Sequence, residues 1–270
     1  LKIDPSKAYN NFFAEFFSNV KETLSDFPQQ EGNIITTIEP SVQLFIENEL
    51  KDTRDKWGSN EAGGIIIDPM SGEIVAMAWS PSFDLNNFKE SDVSLFGNPI
   101  VEGRYEMGSI VKALTMSIGL DTGSVTAKST YYDTGCTTLN SKKICNYDGV
   151  ARGTIPMQQV LNQSLNVGSA HVALTVGKTK FAEYMKNFGV GTETGIDLPN
   201  EGLGLISNLD TGRDIETATA AYGQGVAFTP IATVRALSAL ANGGVLITPH
   251  IVKKIEYQNG LTKKMSFAPG

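Results

Sequence analysis

Apolar positions recur along the chain with two different periods, and the change of period marks out the elements. From residue 4 to 27, Tyr9, Phe12, Phe13, Phe16, Phe17, Val20, Leu24 and Phe27 fall on one stripe. That 3.6-residue spacing predicts an amphipathic helix, with Asp4 as its cap and Pro5 in its first turn. A stripe holding five phenylalanines needs a partner surface: core packing against the main domain, or a contact with another domain or a membrane surface. Pro28 to Asn33 reads as a linker, and Ile34 to Ile38 as a short strand. Glu39-Pro40 opens a helix to about Lys56, with Val42, Phe45, Ile46, Glu49 and Leu50 tracing its face. Two apolar runs, Gly64 to Pro69 and Glu73 to Ala78, flank Met70-Ser71-Gly72 and predict a hairpin. Their apolarity suggests strands covered on both faces.

Ser80 to Gly103 is polar and shows no clear period. A helix is predicted from Ser109 to about Leu120, stopping near Gly123. Ser124 to Gly153 reads as irregular, and Thr154 as the cap of a helix starting at Ile155-Pro156. That helix breaks around Ser164-Leu165-Asn166. Further helices follow over about Val167 to Val176 and Lys178 to Phe188, the second ended by Gly189. Thr229-Pro230 starts a last long helix to Asn242, and Val245 to Met265 reads as a strand pair around Asn259-Gly260. Strands therefore come first and last, with helices between. The order predicts an α+β fold in which an antiparallel sheet is built from both chain ends and a helical lobe is inserted. The expected division is a helix and linker over 1–33 and a main domain over 34–270.

Composition narrows the function classes. The chain has 270 residues, 41% hydrophobic and 19% charged, which is enough for one large core. A formal net charge of −7 with no basic run argues against a nucleic-acid partner. No apolar stretch approaches the roughly 18 residues of a membrane span. The two cysteines, Cys136 and Cys145, sit close together in a polar stretch and fit either a short-loop disulfide or two free thiols. No pattern supports a metal or a cofactor. His171 lies in an apolar helical run, where a core or edge position fits it, and His250 is far away in sequence.

The candidate chemistry centres on Glu106-Met107-Gly108-Ser109-Ile110-Val111-Lys112. Residues three apart on a helix share a face, about 5–6 Å apart at Cβ, so the Ser109 hydroxyl and the Lys112 amine can meet directly. A serine in the first turn also sees unpaired N–H groups and the positive end of the helix dipole. The same spacing fits an N-capping serine followed by a solvated lysine. Ser164-Leu165-Asn166, at a helix junction rich in small and polar residues, is a second candidate, or a capping cluster.

Ser109-x-x-Lys112 followed by Ser164-x-Asn166 resembles the first two of three motifs of the penicillin-recognising serine enzymes. Longer segments resemble the transpeptidase domain of class B penicillin-binding proteins. They are Thr37-Ile38-Glu39 with Gln43, Gly63 to Ala78, Ser80-Pro81-Ser82-Phe83-Asp84, and Tyr105-Glu106-x-Gly108-Ser109. They continue through Thr194-Gly195-Ile196-Asp197-Leu198-Pro199 with Glu201, Tyr222-Gly223-Gln224-Gly225, Thr229-Pro230 and Ala241-Asn242-Gly243-Gly244. The resemblance implies a β-lactamase/transpeptidase-like fold and a peptidoglycan D,D-transpeptidase. Ser109 would attack the terminal D-Ala–D-Ala carbonyl of a stem peptide, and Lys112 would take its proton. Burial by Ile110, Val111 and Leu114 would keep that amine neutral. Ser164 would relay the proton to the leaving D-alanine, and Asn166 would orient Lys112 and the substrate amide. The Ser109 N–H would form half of an oxyanion hole.

The implied partners are peptidoglycan stem peptides, β-lactam antibiotics and other cell-wall synthesis proteins. The implied location is extracytoplasmic, with a membrane anchor lying outside these residues. Met107 stands where the family usually has proline. The third motif, Lys-Thr/Ser-Gly, is absent from the 270 residues: Asp133-Thr134-Gly135 and Asp210-Thr211-Gly212 have Thr-Gly without the lysine. The domain is therefore expected to be incomplete at its C-terminal end. A serine β-lactamase, a β-lactam sensor and a non-catalytic cell-wall scaffold use the same fold and are the competing readings.

Overall fold

The computed structural model describes residues 32–84 and 86–267. The Phe-rich stripe predicted over 4–27 lies outside them, but the end of the predicted linker does not: Gly32 and Asn33 already belong to the first strand, opposite Tyr257 and Glu256. The chain divides into two compact units. One runs to Gly103 and takes in Glu193–Gly202 and the chain from Thr229, and the other comprises Arg104–Thr192 and Leu203–Phe228.

Element order follows the expectation at the ends and departs from it in the middle. Strand β1 (Gly32–Thr36) leads to helix α1 (Pro40–Trp57), capped by the Glu39 side chain and closed by Gly58 in the left-handed conformation. Strands β2 (Ala62–Ile67) and β3 (Ile74–Ser80) form the predicted hairpin. A short helix α2 (Pro99–Glu102) and a 3₁₀ turn (Gly108–Val111) precede α3 (Lys112–Asp121). Two small hairpins follow: β4 (Thr130–Asp133) pairs with β7 (Gly153–Pro156), and between them β5 (Cys136–Leu139) pairs with β6 (Lys142–Cys145). The helices α4 (Gln158–Asn162), α5 (Asn166–Val176), α6 (Lys178–Asn187), α7 (Asp214–Ala220) and α8 (Pro230–Ala241) complete the helical part. Strands β8 (Val252–Tyr257) and β9 (Thr262–Lys264) end the chain as the predicted pair.

Two expectations are corrected here. The stretch 124–153 is not irregular: its four strands are only four residues long, too short for an alternation to show. Ile155-Pro156 does not open a helix but closes β7 against Tyr131 and Thr130, and the helix starts at Gln158. Proline fits because it ends the strand, where its missing N–H costs nothing to the ladder.

In the first unit the sheet is indeed built from both chain ends. β1 pairs antiparallel with β8, Ile34 opposite Ile255, and β9 extends the sheet. Asp197 fixes the entry to β8: its two carboxylate oxygens accept the N–H groups of Ile251 and Val252 at 2.8 and 2.7 Å. The Glu201 carboxylate accepts from the Thr194 and Gly195 N–H groups, and burial pushes it above the usual carboxylate range despite them. Gln43 on α1 works as a substitute strand residue, with Nε2 donating to the Met77 carbonyl at 2.8 Å and Oε1 accepting the Met77 N–H at 2.9 Å. The core of this unit gathers Ile74, Ile100, Val101, Ile196 and Ile231. The hairpin is not covered on both faces: β3 buries Ile74, Ala76 and Ala78, whereas Ile66 of β2 is 40% exposed. On α1, Ile46 and Leu50 approach Gly64, while Phe45 points to solvent.

The second unit is the inserted helical lobe. Met116, Val125, Tyr131, Met157, Val160, Val167 and Val172 form one core cluster, tying α3 and α5 to the β4–β7 hairpin. Gly119 of α3 lies against Val172 of α5, where a side chain would reach within 2.5 Å of Val172. Cys136 and Cys145, opposite one another in β5 and β6, are joined as a disulfide.

Candidate active site

All four candidate residues lie in the helical lobe. Gly108, with φ 58°, turns the chain so that Ser109 enters the 3₁₀ turn Gly108–Val111, and α3 begins at Lys112. Met107 has φ −71°, within the range proline would impose, so the departure from the family's proline leaves the turn intact. Ser109 is exposed, while Lys112 is only 3% exposed. Of the three residues expected to bury the amine, Val111 and Leu114 are themselves buried, whereas Ile110 is 50% exposed.

Ser164 sits between α4 and α5 with φ 53°, a left-handed conformation uncommon for a residue with a side chain. That turn presents two of its oxygens to one amine. Lys112 Nζ donates to the Ser164 carbonyl at 2.6 Å and to Ser164 Oγ at 2.9 Å, and Ser164 Oγ in turn bonds Ser109 Oγ at 2.8 Å. Lys112 therefore reaches the nucleophile candidate through Ser164 and not by the direct i, i+3 contact that helical spacing suggested. Burial lowers the Lys112 amine to about 8, so a substantial neutral fraction exists near neutral pH.

Asn166 is half-buried at the start of α5 and does not orient Lys112. Its Nδ2 donates to the Cys145 carbonyl at 3.0 Å. Neither histidine joins the site. His171 is exposed and stacks on Tyr131, and His250 stacks on Phe267. Among the described residues no group of three or more His, Cys, Asp or Glu could hold a metal ion.

Sequence reasoning quoted Tyr222-Gly223-Gln224-Gly225 without giving it a role. In the structure this segment braces the Ser109 turn. Gly108 N donates to the Gly223 carbonyl at 3.1 Å, Gly225 N donates to Glu106 Oε1 at 2.8 Å, and the Thr115 hydroxyl donates to the Ala221 carbonyl at 2.8 Å. Gly223 has φ 76°, and a Cβ there would lie 2.2 Å from the Gly108 carbonyl oxygen. The sequence signal was two glycines two apart, which close backbone approach requires.

An exposed serine hydroxyl linked through a second hydroxyl to a buried, weakened lysine defines a site for serine nucleophilic chemistry. The sequence matches the family described as Penicillin binding protein transpeptidase domain over residues 62–269, and the chain belongs to that family. It is 34% identical over 240 residues to the stage V sporulation protein D of Bacillus subtilis, covering 88% of this chain and 37% of that protein. It is 30% identical over 222 residues to a protein of Caulobacter vibrioides named as a probable peptidoglycan D,D-transpeptidase FtsI, covering 81% of this chain and 36% of the other. The solved structure of penicillin-binding protein 3 from Mycobacterium tuberculosis in complex with aztreonam superposes with a TM-score of 0.79 at 24% identity. It covers 88% of this chain and 53% of that one, and shows the same fold. The chain spans about a third of the length of these curated relatives.

Proposed function

We propose that this chain carries the acyl-transfer centre of a peptidoglycan D,D-transpeptidase, and that β-lactams acylate the same serine. The observation that carries this reading is the continuous chain of hydrogen bonds Lys112 Nζ, Ser164 Oγ, Ser109 Oγ. As drawn, each donor points toward Ser109. Hydroxyl protons rotate freely, so a neutral Lys112 reverses the chain: its lone pair accepts from Ser164, and Ser164 accepts from Ser109.

Ser109 Oγ then attacks the carbonyl of the terminal D-Ala–D-Ala bond. Its proton moves to Ser164, and the Ser164 proton moves to Lys112. The tetrahedral intermediate collapses with cleavage of the C–N bond, and the same relay returns a proton to the leaving D-alanine. An amine of a second stem peptide attacks the Ser109 ester, losing its proton to the relay, and the crosslink forms with Ser109 regenerated. The Ser109 N–H, at the start of a helical turn, serves the developing oxyanion. Asn166 contacts the substrate amide. The names of the relatives, one of them a probable D,D-transpeptidase, support transpeptidation over the sensor and scaffold readings. With that reading goes an extracytoplasmic, membrane-anchored parent protein working with other cell-wall synthesis proteins, which we infer from the family resemblance. No helix among the described residues is long and apolar enough to cross a membrane.

The test is labelling with a fluorescent penicillin, read by intact mass and peptide mapping. A stable adduct on Ser109 that disappears in Ser109→Ala is expected. Rapid release with turnover of the antibiotic indicates a β-lactamase instead, and labelling that survives Ser109→Ala removes this serine from the reaction.

A further inference from the structure

The two flanks of Ser164-Leu165-Asn166 are held by a polar cluster from the β4–β7 and β5–β6 hairpins. Asp133 is completely buried and Asn146 nearly so, at 0% and 3% exposed. Asn146 Nδ2 donates to both Asp133 oxygens, at 3.0 and 3.1 Å. With that end of the amide committed, Asn146 Oδ1 faces the other way and accepts the Val167 N–H at 3.1 Å. The reversed amide would set an oxygen against the carboxylate and an NH₂ against an N–H, so Asp133 dictates its orientation. The residue before Asn146 supplies the next contact, since the Cys145 carbonyl accepts from Asn166 Nδ2 at 3.0 Å. On the other flank, the Arg152 guanidinium lies 3.8 Å from Asp133 and donates through Nε to Gln163 Oε1 at 2.5 Å. Asp133 is itself fixed by the N–H groups of Gly135 and Arg152.

The turn between these flanks is the one that needs holding. Ser164 has φ 53°, which disfavours any residue with a Cβ, and such conformations persist only where the surroundings over-determine them. The same conformation gives Lys112 both the Ser164 carbonyl and its hydroxyl. We propose that Asp133 and Asn146 are positioning residues for acyl transfer, fixing the Ser164 turn and the Asn166 side chain from both sides. This rests on the acyl-transfer reading above. Neither residue touches the reacting atoms; each acts through the peptide segment that does. Asp133-Thr134-Gly135, set aside in the sequence as a third motif without its lysine, has this role instead.

The experiment measures acylation of the full chain by a fluorescent penicillin over a range of concentrations, with thermal unfolding recorded for each variant. In Asn146→Ala the limiting acylation rate is expected to fall on the order of tenfold to a hundredfold, as a displaced catalytic group would cause. The half-saturating concentration should stay within about threefold, because the relay and not the binding surface is disturbed. In a Ser164→Ala background the same substitution should lose most of its effect, since the hydroxyl that the held turn presents is already gone. Asp133→Asn, which keeps the volume and most of the contacts, should lower the limiting rate in the same direction, and it decides the matter if Asn146→Ala does not fold. Variants that unfold at lower temperature yet acylate within twofold of the wild type would overturn the positioning role and leave a structural brace. Effects that simply multiply with that of Ser164→Ala would overturn it too. Absence of any Ser109 adduct in the wild type overturns the acyl-transfer reading itself, and the positioning role falls with it.

Discussion

At the scale of the residue, Lys112 sets the chemistry of the proposed acyl transfer. Its amine is buried, its only hydrogen-bond partner among the described residues is Ser164, and burial lowers it to about 8 from an ordinary 10.5. A base must be neutral to accept a proton, so the reactive form grows as pH rises through that value. The rate of Ser109 acylation by a β-lactam is expected to rise about tenfold per pH unit below about 8 and to level off above it. Lys112→Arg, which stays charged at any accessible pH, should give a low and pH-independent rate. A stopped-flow pH profile checks both, and a wild-type rate flat from pH 6 to 9 would remove Lys112 as the base. The sign carries to stability as well. The folded state releases this proton more readily than the unfolded chain, so the penalty for the charged amine holds below about 8 and is relieved as pH rises toward 10.5. The relay gives a second expectation. Ser164→Ala leaves the Ser164 carbonyl contact to Lys112 but removes the bridging hydroxyl, and should slow acylation roughly 10²–10³-fold with little change in antibiotic affinity. An effect under threefold would mean that Lys112 reaches Ser109 without the bridge.

At the scale of the element, the proposed nucleophile is presented by a turn that a second turn locks. Gly108 and Gly223 approach back to back, Gly108 N bonding the Gly223 carbonyl. Alanine at 223 would combine a φ of 76° with a Cβ 2.2 Å from the Gly108 carbonyl oxygen. The left-handed conformation costs about 1–2 kcal/mol and the overpacking about 1–3 more. Gly223→Ala should therefore lose roughly 2–5 kcal/mol in urea unfolding and slow acylation, because the residue that must yield precedes Ser109. A stable variant with full acylation would show that the turn adapts. This scale is also where the sequence was least legible. Ser109-x-x-Lys112 could be found from its spacing, but not the fact that Ser164 bridges the pair. That depends on a left-handed serine between two helices, and no periodicity encodes such a residue. Asp133, quoted only as part of a Thr-Gly segment without its lysine, and Asn146 were given no role for a related reason. Their hairpins are four-residue strands interrupted by polar positions, and their partners are thirteen to twenty-one residues away in sequence.

At the scale of the whole molecule, the long apolar elements were readable and the contacts that close the chain on itself were not. The β2–β3 hairpin, α1, α8 and the β8–β9 pair follow from their patterns, and so does a sheet drawn from both ends. What closes that sheet is Asp197, which belongs to a segment quoted only for its family likeness. It lies in Glu193–Gly202, which joins the sheet-bearing unit between two stretches of the helical lobe. Its two oxygens hold the N–H groups of Ile251 and Val252, where β8 begins, and Thr37 N bonds the Ile251 carbonyl from the β1 side. The β1–β8 pairing joins residues more than two hundred apart, so its loop-closure cost is large, and the carboxylate offsets part of it. Each hydrogen bond to a charged group contributes about 1.5–3 kcal/mol, and removing the acceptor leaves both amides seeking a partner. Asp197→Ala is therefore expected to destabilise the protein by roughly 2–4 kcal/mol, and Asp197→Asn, which keeps one acceptor, by about half of that. Amide exchange should show where the loss falls. Protection at Ile251, Val252 and Ile34 should drop first, while Val167, whose N–H is held inside the helical lobe by Asn146, should keep its own until global unfolding. Equal loss of protection at Val167 and Val252 would mean that the two units open as one, and that the closing contact in the sheet also stabilises the turn carrying Ser164.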